Sequence, residues 1–307
     1  MRTRFSIQLL AAALACLLGT PAPAADALQR GVLIDRQGGR VMLMSPDSAI
    51  ENVSIKTGKT AWISRDGAMP IALGGGRLLV LRDGAERSKL AYAVVDIADG
   101  RLLSSAQVDL PAQASGLIDD RLDERFDVVA AADGLRWSHR HEPVQGARMA
   151  DDLQQSSDKQ ERASRVSGAL AIDWTTGRLA PVAESSLKSA SAPAAEIGSP
   201  SATEPRNFRS VGDGYRLQSE RLKDGRYRWL LSDVSGTRVG EVVSEYSYRP
   251  FDVVDGRLLY VTVAKVSMVA GRAQVEMPTL VVMDLGSGAV AWKREVRDTR
   301  YRGPFPS

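Results

Sequence analysis

Short apolar runs recur along the chain, and paired runs are separated by a polar turn that ends in glycine. The clearest copy spans Leu280–Trp292, in which Asp284, Gly288 and Trp292 follow one another at steps of four. The other four copies are Val53–Trp62, Val94–Leu103, Ala171–Leu179 and Leu230–Val239. Two apolar runs joined by such a turn are typical of an antiparallel hairpin. The sequence therefore predicts one hairpin that is repeated five times.

A second pattern precedes each copy: a lead-in run, a glycine-containing turn and another apolar run. The turn glycines are Gly39, Gly76, Gly134, Gly214 and Gly256. Glycine supplies the positive φ that tight hairpins require. Each unit then holds four antiparallel strands, which is the plan of a β-propeller blade. We predict an all-β propeller with five visible repeats, and a degenerate repeat in Ser104–Glu124 would raise the blade number to six. An open β-sandwich is the alternative fold.

The spacing between the second-strand glycines is uneven, and the two long intervals predict insertions. A charged, glutamine-rich segment occupies about residues 149–165, from Met149 to Arg165. A second segment, about residues 184–205, has 14 Ala, Ser or Pro among its 22 residues. Such a composition cannot build a packed core. We therefore expect a flexible loop from Glu184 to Pro205.

The first residues have the layout of a secretory signal peptide. Arg2 and Arg4 precede an apolar stretch of 14 residues, Phe5–Leu18, which is too short for a relaxed membrane span. Ala22-Pro23-Ala24 offers a cleavage site with small residues. We expect cleavage between Ala24 and Ala25, a propeller domain of residues 25–307, and a periplasmic or secreted protein without a transmembrane span.

Cys16, the only cysteine, suggests a different processing route. Ala13-Leu14-Ala15-Cys16 resembles a bacterial lipobox, in which the cysteine is lipidated after cleavage. Position 13 is Ala rather than Leu, and the residues that follow Cys16 are apolar. A lipid anchor at Cys16 is therefore the alternative to plain cleavage after Ala24.

The net charge of +3 belongs mostly to the predicted signal peptide. Residues 1–24 contain two arginines and no acid, so the mature chain has 38 basic and 37 acidic residues. Binding to nucleic acid or to an anionic membrane depends on an excess of basic charge. This balance argues against both classes of partner.

The pattern A/V-x-D-x-x-x-G-x-x-x-W resembles the tryptophan-docking repeat of the quinoprotein-type (PQQ-like) β-propellers. Only the copy with Asp284, Gly288 and Trp292 is complete. Gly58 and Trp62 match the second half of the repeat, with Ser54 in place of the aspartate. Two copies match the first half: Asp96 with Gly100, and Asp173 with Gly177. Ser104 and Pro181 then stand at the tryptophan position, and the fourth copy has Ser232, Gly236 and Gly240 at the three key places.

The resemblance implies either an enzyme or a scaffold, because the family contains both. Its enzymes are alcohol and sugar dehydrogenases that use pyrroloquinoline quinone and calcium. Its scaffolds include the lipoprotein of the outer-membrane β-barrel assembly machine. The mature chain lacks the paired cysteines of many of the enzymes, and no calcium-ligand or catalytic set maps onto it. We therefore favour a non-catalytic scaffold in the bacterial envelope that uses no cofactor and binds an envelope protein. The alternative is a quinoprotein-like enzyme or a small-ligand binder that uses the central channel.

His139 and His141 are the only histidines. Alternate residues of a strand point to the same side, so these two imidazoles form a weak candidate for a metal site. No third ligand is tied to them by spacing. We therefore predict no metal site, and we interpret the histidines as part of a solvated strand end.

Overall fold

The computed structural model of the protein describes residues 26–29, 31–82, 89–110, 126–131, 133–140, 165–187, 208–244, 251–269 and 272–297. The predicted signal peptide, with Cys16, Ala24 and Ala25, lies outside these residues. Most of the two predicted insertions lies outside them too. In the described part of the chain, no helix is long and apolar enough to cross a membrane.

Five antiparallel sheets follow one another along the chain, and we call them blades 1 to 5. Blade 1 contains β1 Asp26–Gln29, β2 Val32–Asp35, β3 Arg40–Met44, β4 Ile50–Ser54 and β5 Thr60–Ser64. Blade 2 contains β6 Met69–Gly74, β7 Arg77–Leu81, β8 Lys89–Asp96 and β9 Leu102–Asp109. Blade 3 contains β10 Phe126–Ala131, β11 Gly134–Arg140, β12 Arg165–Asp173 and β13 Arg178–Val182, followed by a 3₁₀ turn at Glu184–Ser186.

The last two blades repeat the same strand order. Blade 4 contains β14 Phe208–Ser210, β15 Arg216–Arg221, β16 Tyr227–Ser232 and β17 Arg238–Ser244, with a 3₁₀ turn at Gly212–Gly214. In blade 5 a separate hairpin, β20 Lys265–Val269 and β21 Arg272–Glu276, interrupts the sheet. The strands of that sheet are β18 Phe251–Val254, β19 Arg257–Val261, β22 Thr279–Asp284 and β23 Val290–Glu295.

The predicted all-β propeller of four-stranded blades is confirmed. Each of the five repeats forms one sheet with its strands in sequence order. Blade 1 carries the additional strand β1, which pairs with β2 on its inner edge. The predicted sixth repeat is not found among the described residues. Its first part, Ser104–Asp109, belongs to β9, and residues 111–125 lie outside the description.

The middle strands of blades 1 and 2 are largely buried on both faces, because each of these blades packs against two neighbours. The middle strands of blade 4 are buried mainly on the face toward blade 5. Four hydrophobic clusters join blades 1 and 2, 2 and 3, 4 and 5, and 5 and 1. The last cluster brings the two ends of the fold together, since Val41 of blade 1 packs with Leu259 and Val282 of blade 5. Burial of apolar side chains at these junctions is the main stabilising contribution that the blades share.

Two tryptophans fix the junctions of blade 1 with both neighbours. Trp62 of blade 1 covers Gly100 of blade 2, and its indole Nε1–H donates to the carbonyl of Ile97 at 2.8 Å. Trp292 of blade 5 covers Gly58 of blade 1 in the same way, and its Nε1–H donates to Ile55 at 2.8 Å. A Cβ on Gly58 would lie 2.6 Å from Trp292 Cγ, and a Cβ on Gly100 would lie 2.5 Å from Trp62 Cε3.

Each glycine belongs to what we call a docking turn, the connection between the last two sheet strands of a blade. Both glycines have positive φ, +68° for Gly58 and +75° for Gly100, a conformation that is costly for residues with a Cβ. The side chain of Asp96 accepts a hydrogen bond from the Ala98 N–H at 2.9 Å and so supports its turn. Glycine therefore serves two needs here, the backbone conformation and the close approach of an indole ring.

A β-bulge precedes the docking residue in four blades. The register shifts by one residue, so that Trp62 lies opposite Asn52 and Trp292 lies opposite Val282. The same shift places Ser104 opposite Val94 and Gly240 opposite Leu231. A bulge re-aims the side chain that follows it. Blade 3 has no such shift, so Ala180, rather than Pro181, lies opposite Ala171.

In the described part of the chain, no tryptophan covers the glycine of any other docking turn. Gly177 of blade 3 lies under Ser104, whereas a Cβ added to Gly236 or Gly288 would have no described atom within 4 Å. Blade 3 compensates with Trp174, which packs on Gly74 of blade 2, and with Thr175, whose carbonyl accepts a 2.7 Å hydrogen bond from Arg77. The docking contacts therefore differ from one junction to the next.

A buried ion pair adds to the junction of blades 5 and 1. Arg36 follows β2 of blade 1, and its Nη2 lies 2.5 Å from Asp252 on β18 of blade 5. Asp252 is almost completely buried, and Arg36 also donates to the carbonyl of Val253 at 2.8 Å. Removal of one partner from a buried pair leaves an uncompensated charge. The pair therefore fixes these two inner strands in one arrangement.

The junction of blades 3 and 4 differs from the other four. Among the described residues, none of the hydrophobic clusters joins these two blades. The face of blade 4 that points away from blade 5 carries the partly exposed ion pairs of Arg228 with Glu241, at 3.2 Å, and with Glu220, at 3.8 Å. This face of blade 4 is therefore more polar than the face that packs against blade 5.

We predict that Gly58→Ala destabilises the protein more than Gly288→Ala. The two glycines have nearly the same φ, +68° and +69°, but only Gly58 lies under a tryptophan. Gly288→Ala should cost about 1–2 kcal/mol of unfolding free energy through backbone strain. Gly58→Ala should cost about 1–3 kcal/mol more because it also displaces Trp292. Urea denaturation measures both values, and equal losses would show that the indole contact contributes nothing.

We also predict that Gly240→Trp stabilises the fold. Gly240 has the register position of Trp62 and Trp292, and Gly288 of blade 5 is the uncovered docking glycine beside it. Filling this space should raise the unfolding free energy by about 0.5–2 kcal/mol. Gly240→Ala is the matched control, since its Cβ would lie 3.3 Å from Leu285 Cδ2 and would not reach the space over Gly288. A tryptophan variant less stable than the alanine variant would contradict the docking model.

Candidate functional site

A cavity of about 780 Å³ lies at the inner strands of blades 2 and 3. Its lining residues come from β6, from β10 to β12, from the 3₁₀ turn after β13 and from the link between β1 and β2. They are Gln29, Gly31, Met69, Pro70, Ile71, Val128, Val129, Ala130, Arg136, Trp137, Ser138, Ser167 and Glu184. Binding sites for small molecules are typically concavities of this size, with a mainly apolar lining and a few polar groups.

The cavity wraps around the inner edge of β10. Val128 and Ala130 face blade 2, because they pack with the cluster that contains Met69 and Trp137. Strand alternation places Val129 on the opposite face, where its register partner is Arg136. Val129 remains 62% exposed, which is unusual for a valine on an inner strand. The cavity therefore has an apolar side toward blade 2 and a mixed side on the far face of blade 3.

The mixed side carries one basic and one acidic group. Arg136 is partly buried, and its Nη2 donates to the carbonyl of Leu187 at 3.3 Å. Glu184 lies in the exposed 3₁₀ turn, and Ser138 and Ser167 face each other across β11 and β12. This arrangement can hold an apolar group against Met69 and Ile71 and a polar group beside Arg136.

Both predicted insertions depart from blade 3 next to this cavity. β11 ends at Arg140 and β12 begins at Arg165, so the first insertion connects the strand ends near Ser138 and Ser167. The second insertion begins at Glu184, which lines the cavity. The sequence singled out these segments, but it gave no sign that they flank a shared cavity.

The histidine pair is placed only in part. His139 lies in β11, opposite Phe126 and Val166, and its side chain is outside the description. His141 lies outside the described residues altogether. In the part of the chain that the structure describes, no group of three His, Cys, Asp or Glu side chains is arranged to hold a metal ion.

The predicted repeat residues lie in the docking turns, away from the cavity. Ser167 lines the cavity, whereas Asp173 lies six residues later at the far end of β12, about 20 Å away along the strand. Asp96, Gly100, Gly177, Gly236 and Gly288 occupy the same end of their blades. In blade 4 the turn aspartate is Asp233, one residue after Ser232, which the repeat pattern places at the aspartate position. Asp233 accepts hydrogen bonds from the N–H groups of Ser235 and Thr237, both at 2.9 Å.

Hydrogen bonds hold the turn carboxylates in the ionised form. The hydroxyl of Thr176, followed by the N–H of Thr175, lowers the pKa of Asp173 below its ordinary value. The N–H and hydroxyl of Ser287 lower the pKa of Asp284 in the same way. Donors that point at a carboxylate favour its charged form. These shifts belong to turn structure rather than to acid–base chemistry at the cavity.

No protein-family model matches the sequence, and no curated protein matches it. Solved structures resemble the fold at low identity. BamB from Moraxella catarrhalis is 15% identical, with a TM-score of 0.24 over 88% of this chain and 64% of that one. A europium-containing methanol dehydrogenase is 12% identical, with a TM-score of 0.25 over 89% of this chain and 69% of that one.

A third similar structure is the uncharacterized protein lmo1340 from Listeria monocytogenes EGD-e. It is 9% identical, with a TM-score of 0.32 over 91% of this chain and 94% of that one. The chain thus spans less than two thirds of the BamB chain. At TM-scores below 0.5, these similarities say nothing about activity, substrate or partner.

We predict that the contribution of Asp284 to stability is lost in acid. Because the folded state lowers its pKa below 3.8, ionised Asp284 stabilises the fold above that pH, and the stabilisation disappears as the pH falls through the lower folded value. Asp284→Ala should therefore lower the melting temperature at pH 7, and the difference from the unchanged protein should shrink below about pH 4. Asp284→Asn, which cannot ionise, is the control. A difference that stays constant from pH 7 to pH 3 would contradict the assignment.

Proposed function

We propose that the protein is an exported, non-catalytic β-propeller that acts as a scaffold in the bacterial envelope and binds a protein partner at the cavity of blade 3. The observation that carries this proposal is the cavity itself, with its exposed Val129 on an inner strand and its apolar side toward Met69 and Ile71. Exposed apolar surface beside polar groups is typical of interaction sites.

The surrounding frame suits such a role. Blades 5, 1 and 2 are held together by Trp292, Trp62 and the Arg36–Asp252 pair. Blade 3 is attached to blade 2 by Trp174 and by the hydroxyl of Tyr92, which accepts the Leu179 N–H at 3.0 Å. A fixed frame limits the entropy lost when a partner binds. The two segments that leave blade 3 beside the cavity supply additional contact surface.

We also propose that the protein is exported and belongs to the PQQ-like propellers. The signal-like segment 1–24, with cleavage before Ala25, would deliver the chain to the periplasm or outside the cell, and lipidation at Cys16 would tether it. Tryptophans over glycine turns, seen for Trp62 and Trp292, support membership of the PQQ-like propellers.

A small-ligand binder is the second candidate, because a volume of 780 Å³ falls within the range of about 300–1,000 Å³ that ligand sites occupy. A quinoprotein-like enzyme would be one form of it. Pyrroloquinoline quinone with calcium would then raise the melting temperature of the purified protein, and the rise would disappear in a Val129→Arg variant. The scaffold proposal expects no such shift.

In-cell photo-crosslinking tests the scaffold proposal. The full chain, with its own leader, carries p-benzoylphenylalanine at position 129 or, as a matched control, at position 243. Val243 is 43% exposed on the outer strand β17 of blade 4. We expect one discrete adduct with an envelope protein from position 129, none from position 243, and a mature chain that begins at Ala25.

The adduct should also depend on the polar side of the cavity. Glu184→Lys combined with Arg136→Glu reverses both charges and should reduce its yield. Absence of an adduct at position 129, or the same adducts from positions 129 and 243, would contradict a binding site at this cavity.

A further inference from the structure

We infer that the partner contributes an extended segment that adds to the inner edge of β10 as a new β-strand. This inference rests on the proposed function and specifies its mode. The cavity encloses both sides of the β10 edge, with Val128, Ala130 and Trp137 on the side toward blade 2 and Val129, Arg136 and Ser138 on the other. A helix or a compact side-chain cluster would use one side only.

The edge of β10 has the chemistry that an added strand needs. Among the described strands, β10 pairs with β11 alone, so alternate residues direct their N–H and C=O groups into the cavity. Such a row of backbone groups is a template for another chain. Peptides that add to a sheet edge gain affinity from main-chain hydrogen bonds and specificity from pockets for alternate side chains.

Blade 1 shows that an inner edge of this propeller accepts an extra strand. β1 pairs with β2, the inner strand of blade 1, with Asp26 opposite Ile34 and Ala27 opposite Leu33. Gln29, the last residue of β1, and Gly31, just before β2, line the same cavity. A partner strand on the edge of β10 would repeat, at blade 3, the pairing that β1 makes with β2 at blade 1.

The lining defines the chemistry of the segment. Residues of an added strand alternate between the two sides of β10. Those that face blade 2 meet Met69, Pro70 and Ile71 and should be apolar. Those that face the other side meet Val129, Arg136 and Glu184, so a carboxylate suits the position level with Arg136 and a basic residue suits the position toward Glu184. The expected partner segment alternates apolar residues with charged ones.

A peptide selection tests this mode. Decapeptides are selected from a random phage-displayed library on the purified, exported protein and are then synthesised. We expect peptides with apolar and charged residues in alternation. Val129→Arg should weaken their binding about tenfold or more, because it places a long cation over the edge. Val243→Arg, the matched change on blade 4, should alter the affinity less than about twofold.

Backbone methylation separates strand addition from side-chain binding. Two versions of the best peptide carry N-methyl groups on alternate residues, one on odd positions and one on even positions. In an added strand, only one of these sets donates to β10. One version should therefore lose about tenfold or more in affinity, while the other keeps it within about twofold.

Equal effects of the two methylated versions, selected peptides that ignore Val129→Arg, or no enriched peptide would overturn strand addition. If peptides bind only after residues 298–307 are removed, or only when a dimer dissociates, the edge belongs to the chain itself and the partner assignment is overturned. An adduct at position 129 together with methylation-insensitive binding would refute strand addition and leave the scaffold proposal intact. If neither the adduct nor the sensitivity to methylation is found, the scaffold proposal and strand addition are both refuted.

Discussion

A four-stranded antiparallel blade has two faces and cannot bury both by itself, so every other feature of this protein depends on how blades dock. The indole of Trp292 or Trp62 meets a glycine turn of the next blade and donates to its backbone carbonyl, at 2.8 Å in both cases. This contact requires glycine for the turn and for the close approach of the ring. It joins hydrophobic burial to a directional hydrogen bond, which fixes the angle at which neighbouring blades meet.

Docking is distributed unevenly around the molecule. Blades 5, 1 and 2 combine tryptophan docking with apolar clusters, and the Arg36–Asp252 pair lies at the junction of blades 5 and 1. Described residues of blades 3 and 4 share no such cluster, and the face of blade 4 that points away from blade 5 carries the ion pairs of Arg228. The cavity lies on blade 3, next to this junction. Regions with fewer apolar contacts are the usual places for binding, and the fixed part of the ring gives the cavity a stable base.

The sequence revealed the blades because their turns require particular residues. Gly58, Gly100 and Gly288 need positive φ, and this requirement leaves a spacing that can be read directly. Side-chain placement was harder to predict. The repeat predicts Ser232 at the aspartate position of blade 4, but Asp233 holds that turn, which is one residue shorter than the turn of blade 5. The repeat also predicts Pro181 at the tryptophan position of blade 3, but Ala180 lies opposite Ala171 because β13 has no bulge. Neither β1 nor the cavity leaves a local signal, since the cavity joins residues from 29 to 184.

Hydrogen–deuterium exchange followed by mass spectrometry tests the central claim, that tryptophan docking holds neighbouring blades together. The comparison is between the unchanged protein and Trp292→Leu. The account predicts faster exchange in β4, β5, β22 and β23, which meet at the junction of blades 5 and 1, with little change in β10–β13 of blade 3. Unchanged exchange at the junction would contradict the claim, and so would a uniform increase in all five blades.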